Sequence, residues 1–274
     1  MSRPRTLISL LVWDSPRYTG NLLSNLEWAP PGRNCHLHII DQGSDAPTRD
    51  LLRAWVPAQK RVTAELLPEN IGYGAGHNRS YARGKTIFPN GFDYFITINS
   101  DVLFGQPEWA DVLVDAMEAT PHAALGGPFA YTETPLGGGR RLLMPATVDQ
   151  GKRGEFAFIT GAVAIIRATA VTELGLFDEI YTPAYFEDQD MVQRYTHFGW
   201  GQVYIDLPVL HGYLGDAERV NQTKNNELQK RYGDFKDKNM KTYVSRWQYE
   251  KNKNSLAKEN LKSRFNLLYF PSVG

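Results

Sequence analysis

The 274-residue chain has a single cysteine, Cys35. One cysteine forms no internal disulfide and gives no cysteine metal cluster, so nothing argues for secretion, and Cys35 reads as a small buried apolar residue. No apolar run approaches the roughly 18 residues of a membrane helix. The short basic start, Met1 to Arg5, leads into an apolar stretch too short for a signal peptide and without a small-residue cleavage site. The expectation is a soluble cytoplasmic protein. Net charge is also absent, with 30 Lys+Arg against 30 Asp+Glu, which argues against bulk nucleic-acid binding. The glycine-rich motifs of two large nucleotide-binding classes are missing. A G-x-G-x-x-G started at Gly72 would need glycine where His77 stands, and no Gly-Lys-Ser/Thr follows. No internal repeat is visible.

Hydrophobic residues make up 42% of the chain, enough for a sizeable core. Up to residue 130, strand-like and helix-like patterns alternate. Strands are expected at 6–13, 36–40, 61–67, 92–98 and 123–130, and helices at 17–28, 48–56, 76–85 and 107–119. Such alternation predicts an α/β fold with a mainly parallel sheet covered by helices. Residues 131–154, with Pro135, Gly137, Gly138 and Gly139 and four basic residues, read as a long mobile loop. A strand at 156–166, a helix at 187–198 and a short strand at 202–206 follow. The charge is unevenly spread: from Asp216 onward there are 13 Lys+Arg against 7 Asp+Glu, leaving 17 against 23 before it. This predicts a basic, mostly helical C-terminal extension at 216–274, packed on a catalytic domain at 1–215. Its Lys/Arg interleaved with aromatics suits peripheral contact with an anionic bilayer as well as a plain solvated helix.

In parallel sheets, ligands bind at the carboxyl ends of strands, where several clusters carry chemistry. Asp41-Gln42-Gly43-Ser44 follows the second strand. Asn70-Ile71-Gly72-Tyr73-Gly74-Ala75-Gly76-His77-Asn78 is a glycine-rich turn entering a helix, where backbone amides could approach a phosphate or sugar. Asn99-Ser100-Asp101 follows another strand, and a carboxylate there suits a hard divalent cation bridging two phosphates. In Glu187-Asp188-Gln189-Asp190, three carboxylates crowd four positions; Glu187 and Asp190 share a helical face and Asp188 points elsewhere. One of them could take a proton from a hydroxyl, or all could simply favour the helix dipole. His211 is a further candidate ligand.

Taken in order, these motifs resemble glycosyltransferase family 2 of the GT-A fold, especially its rhamnosyltransferase-like branch. The resemblance covers about residues 6–215 and is carried by Asp41 to Ser44, Asn70 to Asn78, Asn99-Ser100-Asp101, Thr160-Gly161-Ala162, Gly175-Leu176-Phe177-Asp178-Glu179, Glu187 to Asp190, Arg194, Gly199-Trp200 and His211. It implies an inverting transferase moving a sugar from a UDP- or dTDP-sugar to a hydroxyl of a glycan or lipid-linked acceptor in bacterial surface polysaccharide synthesis. Asp188 would be the general base. Leu10, Val12, Asp41, Asn70, Gly72, Asn78, Asn99, Ser100 and Asp101 would bind the nucleotide and donor. Asp101 and His211 would hold Mg²⁺ or Mn²⁺, and Trp13, Gly161 and Glu187 would face the acceptor. Three departures stand out: Asn99 where stricter motifs carry aspartate, Trp13-Asp14-Ser15-Pro16 in the first turn, and no serine shortly after His211. The competing readings are a nucleotidyltransferase or another nucleotide-binding α/β enzyme, and a sugar-nucleotide-binding relative without catalysis.

Overall fold

The most apolar segment, Thr6–Val12, forms strand β1, and every one of its residues is buried. Burial on both faces is the signature of a central parallel strand. In this computed structural model, which describes residues 3–128, 130–133, 156–214 and 217–251, β1 lies between β2 (Cys35–Gln42) and β4 (Tyr94–Asn99), parallel to both. Beyond β2 comes the edge strand β3 (Val62–Leu67). The remaining strands are β5 (Val102–Phe104), β6 (Ala123–Gly127), β7 (Ala130–Glu133), β8 (Phe156–Ile159), β9 (Val163–Arg167), β10 (Gly201–Tyr204) and β11 (Val209–His211). The main sheet has the order β10-β6-β9-β4-β1-β2-β3. Within it only β9 runs antiparallel, against both β4 and β6.

The helices are α1 (Pro16–Trp28), α2 (Ala46–Trp55), α3 (Tyr73–Ile87), α4 (Trp109–Ala119), α5 (Ala168–Leu174), α6 (Glu187–His197), α7 (Ala217–Tyr232) and α8 (Phe235–Lys251). They cover both faces, and the alternation within β1 shows how. Ile8, Leu10 and Val12 pack with Leu22, Leu26, Leu52, Trp109 and Leu113 of α1, α2 and α4. Leu7 turns to the other layer, with Phe95, Val171, Leu174, Val192, Tyr195 and Trp247. Each fully buried side chain of this size contributes about 1.5–3 kcal/mol. Cys35 is buried and free, as expected.

Several expectations need correction. The run 156–166 is not one strand but two, β8 and β9, broken at Thr160-Gly161-Ala162, and the second half enters the sheet reversed. The Gly161 carbonyl explains the break: it accepts from the Tyr73 hydroxyl at 2.8 Å and from Thr97 Oγ1 at 3.1 Å. A Cβ on Gly161 would lie 2.1 Å from the Tyr73 hydroxyl. Of the loop expected at 131–154, residues 131–133 belong to β7, paired with β8; 134–155 lie outside the described residues. The expected 123–130 strand likewise divides into β6 and the start of β7. An antiparallel pair of strands distant in sequence, β5 with β11, was not expected. The last two helices agree with a helical C-terminal extension through residue 251, and 252–274 lie outside the described residues.

Candidate active site

The carboxyl ends of β1, β2, β3 and β4 line one edge of the sheet. Because β9 is reversed, its amino end reaches the same edge, and Asn99 N–H donates to the Ala162 carbonyl at 2.9 Å. Thr160-Gly161-Ala162 thus meets Asn99-Ser100-Asp101 from the opposite chain direction.

Asp101 sits at the start of β5. Pairing of β5 with β11 sets His211 opposite Val102, which brings His211 Nε2 to 3.4 Å from Asp101 Oδ1. Gly212 N–H donates to the Asp101 carbonyl at 2.9 Å, so the pair is held from the main chain as well. Both side chains are partly exposed, with 19% for Asp101 and 31% for His211. Among the described residues no cluster of three or more His, Cys, Asp or Glu suits a metal ion. One carboxylate and one imidazole are nonetheless a fitting donor set for a divalent ion that takes its other oxygens from water and from substrate phosphates.

Asp188 lies on the first turn of α6, half-buried. Burial raises its carboxyl above the ordinary aspartate value, while backbone amides of Gln189 and Gly161 bond the charged form and partly offset this. Beside it, burial and then the Asp188 charge push Glu187 well above the usual glutamate range, and Glu187 Oε2 is buried without a hydrogen bond. Tyr73 is reached by the charges of both acidic groups, Asp101 and Asp188. Its hydroxyl holds Gly161, and burial, then Asp188, Glu187 and Asp101, raise it well above the usual phenol value. The third carboxylate, Asp190, turns away from the edge and is fully buried. It accepts from Tyr181, Arg246 and Trp247, all at 3.0 Å.

Asp188 follows two successive residues with left-handed backbone, Tyr185 (φ 72°) and Phe186 (φ 76°). For bulky side chains this conformation costs of order 1–3 kcal/mol each and persists only where surroundings enforce it. The enforcement comes from α7 and α8. Asn239 Nδ2, fully buried, donates to the Tyr181 and Ala184 carbonyls at 2.9 Å. The Tyr185 hydroxyl bonds Asn225 at 3.1 Å, and the Phe186 ring packs on Tyr243.

Other expected site residues are distributed unevenly. Asp41 is at the edge but fully buried; its oxygens accept from Ser44 N–H (3.2 Å) and Arg49 Nε (2.9 Å), so it organises the turn. Leu10 lies within the sheet, paired on both sides, which takes it out of reach of a ligand; Val12 is one residue beyond the β4 register. Trp13 is half-buried where β1 ends, and Asn70 Oδ1 accepts from Gly72 N–H at 2.8 Å. Gly72 (φ 96°) is the N-cap of α3, which starts at Tyr73, three residues earlier than expected, and a Cβ on Gly72 would lie 2.9 Å from the Pro183 carbonyl. Gly74 and Gly76 do not form a phosphate cradle. They lie inside α3, where a Cβ would crowd Phe177 at 3.2 Å and Leu11 at 3.0 Å, and so permit close packing. Asn78 is not at the cleft either. Fully buried, it bonds the Phe177 main chain in both directions and donates to Glu179. His77 is also buried, bonded to Ser9 Oγ at 2.8 Å, and burial pushes its pKa down to about 3.

The site also contains a cation that sequence reasoning missed. Lys224 of α7 is half-buried, its Nζ 5.8 Å from the Trp13 ring centroid. Burial lowers its pKa, and the charges of Asp101, Asp14 and Glu227 act against this. On sequence alone it is one lysine among many in a polar helix.

A sequence profile described as "Glycosyl transferase family 2" matches residues 18–175. The chain belongs to glycosyltransferase family 2. The matched span includes Asp41, Asp101 and Gly161 but ends before Asp188 and His211. Three solved structures share the fold. The mannosyltransferase PcManGT from Pyrobaculum calidifontis, solved with GDP-Man and Mn²⁺, has a TM-score of 0.54 and 14% identity over 74% of this chain and 55% of that one. GalNAc-T7, solved with UDP, GalNAc and Mn²⁺, has 0.59 and 13% over 76% and 43%. Residues 1–349 of S. aureus TarS have 0.51 and 13% over 73% and 58%. This family 2 chain thus has the GT-A fold and spans about half the length of these proteins. No curated protein sequence matches it. Among the described residues no helix is long and apolar enough to cross a membrane.

Proposed function

We propose that this family 2 chain transfers a sugar, with inversion, from a UDP- or dTDP-sugar to a hydroxyl of a glycan or lipid-linked acceptor in surface polysaccharide synthesis. A deoxyhexose donor is in keeping with the rhamnosyltransferase-like motif order. The observation that carries the reading is that two acidic groups act on the same residue near one sheet edge: Asp101, paired with His211, and Asp188 both raise the Tyr73 phenol. The separation of roles follows from their surroundings. Asp188 is a carboxylate withdrawn from water with a raised pKa, which suits proton abstraction near neutrality. Asp188 takes the proton of the acceptor hydroxyl, the oxygen forms its bond to the anomeric carbon, and the bond to the diphosphate breaks on the opposite face. The electron pair leaves with the nucleoside diphosphate.

Asp101 and His211 would hold Mg²⁺ or Mn²⁺, which when bound supplies positive charge to the departing diphosphate. The Mn²⁺ in two of the related structures supports this reading. Val12, the Asp41–Ser44 turn, Asn70, Gly72, Asn99 and Ser100 flank the donor, with Asp41 holding its turn in place. Trp13, Gly161 and Glu187 remain assigned to the acceptor side. The basic region after residue 216 is proposed as a peripheral contact with the inner membrane face.

Asp188→Asn tests the mechanism. It should lower kcat by about 10²–10⁴-fold while nucleotide-sugar binding, read by thermal shift with Mn²⁺, changes less than about twofold. An Asp188→Asn enzyme that turns over normally removes the base from this reading. If no UDP-, dTDP- or GDP-sugar stabilises the wild-type protein, the transferase reading itself fails.

A further inference from the structure

The C-terminal helix α7 lies over the carboxyl edge of the sheet, tied down at three places. Its last residue, Tyr232, donates to the Asn70 carbonyl at 3.3 Å, and Arg231 pairs with Glu69 just after β3. Asn225 bonds the Tyr185 hydroxyl on the Asp188 side at 3.1 Å. One residue before the Asn225 anchor, Lys224 reaches Trp13, at the end of β1. The charges that act on it belong to Asp101, Asp14 and Glu227. Asp14 is itself fixed: its N–H donates to Ser44 Oγ at 3.0 Å, and its Oδ1 accepts from Asp45 N–H at 2.6 Å. An ammonium half-removed from water in this place is costly unless anions compensate it, and Asp101 is a carboxylate that the reading above gives to a cation–diphosphate pair.

We propose that Lys224 is a second cation of the donor site: in the empty protein it balances Asp101, and on donor binding it pairs with the diphosphate. This rests on the transferase reading of the site and deepens it by adding a protein charge from outside the family-matched span. The chemistry is complementary. A diphosphate brings more negative charge than one divalent ion neutralises, and with Asn99 in place of a second carboxylate the motif leaves the phosphate side less crowded by anions. The Lys224 side chain adds a donor that bonds the charged oxygens without competing for the Asp101 coordination position.

The proposal makes two predictions of opposite sign. In Lys224→Met, the affinity for Mn²⁺ alone should rise about three- to tenfold, because a positive neighbour of Asp101 is gone. Affinity for UDP and for inorganic pyrophosphate at saturating Mn²⁺ should fall about 10–100-fold, the worth of a charge-assisted hydrogen bond. Free Mn²⁺ is read by electron paramagnetic resonance and the diphosphates by calorimetry. Lys224→Arg should restore most diphosphate binding, and Lys230→Met, at an exposed position of α7, should match wild type. Unchanged UDP and pyrophosphate affinity in Lys224→Met overturns the proposal. So does a parallel loss of Mn²⁺ and diphosphate affinity, which would make Lys224 a brace for the helix. If the wild type binds Mn²⁺ but neither diphosphate, the transferase reading is what fails, and this proposal falls with it.

Discussion

Replacing Arg246 with methionine should unfold the protein about 10 °C earlier. Arg246, on α8, places Nη1 3.0 Å from both Asp178 Oδ2 and Asp190 Oδ1. Both carboxylates are at 0% exposure, and Arg246 at 12%. Among the described residues, the other cation against Asp190 is Arg194, at 3.5 Å, and its guanidinium is committed to the carbonyls of Leu174, Gly175 and Leu176. Methionine keeps most of the packing volume but takes Arg246 from two buried carboxylates, Asp178 and Asp190, and only Asp190 also has Arg194 beside it among the described ion pairs. Breaking a buried pair in this way costs about 3–5 kcal/mol. For a chain of this size, each kcal/mol moves the melting temperature by about 2–4 °C. Adding Asp178→Asn should recover part of the loss, because the amide still accepts from Ile180 N–H and removes the uncompensated charge. Calorimetry or circular dichroism melts at neutral pH read both. A fall of less than 2 °C would mean that α8 contributes no stability through this cluster, and would refute the reasoning.

Other perturbations probe the site itself. Gly161→Ala puts a methyl group 2.1 Å from a Tyr73 hydroxyl whose ring is wedged against His77 and Phe177; urea unfolding should show a loss of about 1–3 kcal/mol, with turnover lowered as well. Glu187→Gln should stabilise the protein at high pH. The folded pKa of Glu187 lies well above its unfolded value, so this group's contribution is complete below about pH 4.3 and is lost as pH rises through the folded pKa. The gain in melting temperature from the amide should therefore be larger at pH 8 than at pH 5, and an equal gain at both would contradict the assigned burial. Asp101→Asn should abolish Mn²⁺-dependent thermal stabilisation by nucleotide sugars, read by melting with and without Mn²⁺.

The sheet was legible where apolar runs were long. The segments that became β1, β2 and β4 are buried whatever they pair with, so local pattern and environment agree. The order of the acidic turns was legible for the same reason, since each follows such a strand. What was hidden depends on contacts distant in sequence. Residues 156–166 look strand-like throughout, and only the clamp from Tyr73 and Thr97 on the Gly161 carbonyl shows where the chain turns back. The strands β5 and β11 have three residues each and lie about a hundred residues apart. Asn78 resembles a ligand-binding asparagine on a glycine-rich turn, yet its partners stand 99 residues away, at Phe177. Asp190 looked like a third site carboxylate until α8 supplied Arg246 and Trp247. Lys224 had no local signal, because its significance comes from the strand ends beneath α7.

The bracing of the Tyr185-Phe186 turn also bears on when the protein becomes competent during its synthesis. The turn is held by Asn239, which is 55 residues downstream of the Ala184 carbonyl it bonds. The cluster behind the turn closes only with Arg246 and Trp247, 56 and 57 residues after Asp190. At ribosomal rates of about 5–20 residues per second, several seconds separate the appearance of Asp188 from that of its supports. The sheet edge with Asp101 can form before then. Of the contacts that hold the two left-handed residues, α7 supplies Asn225 first, and those of Asn239 and Tyr243 arrive only once α8 clears the ribosome, so the Asp188 side of the site is the last to be braced.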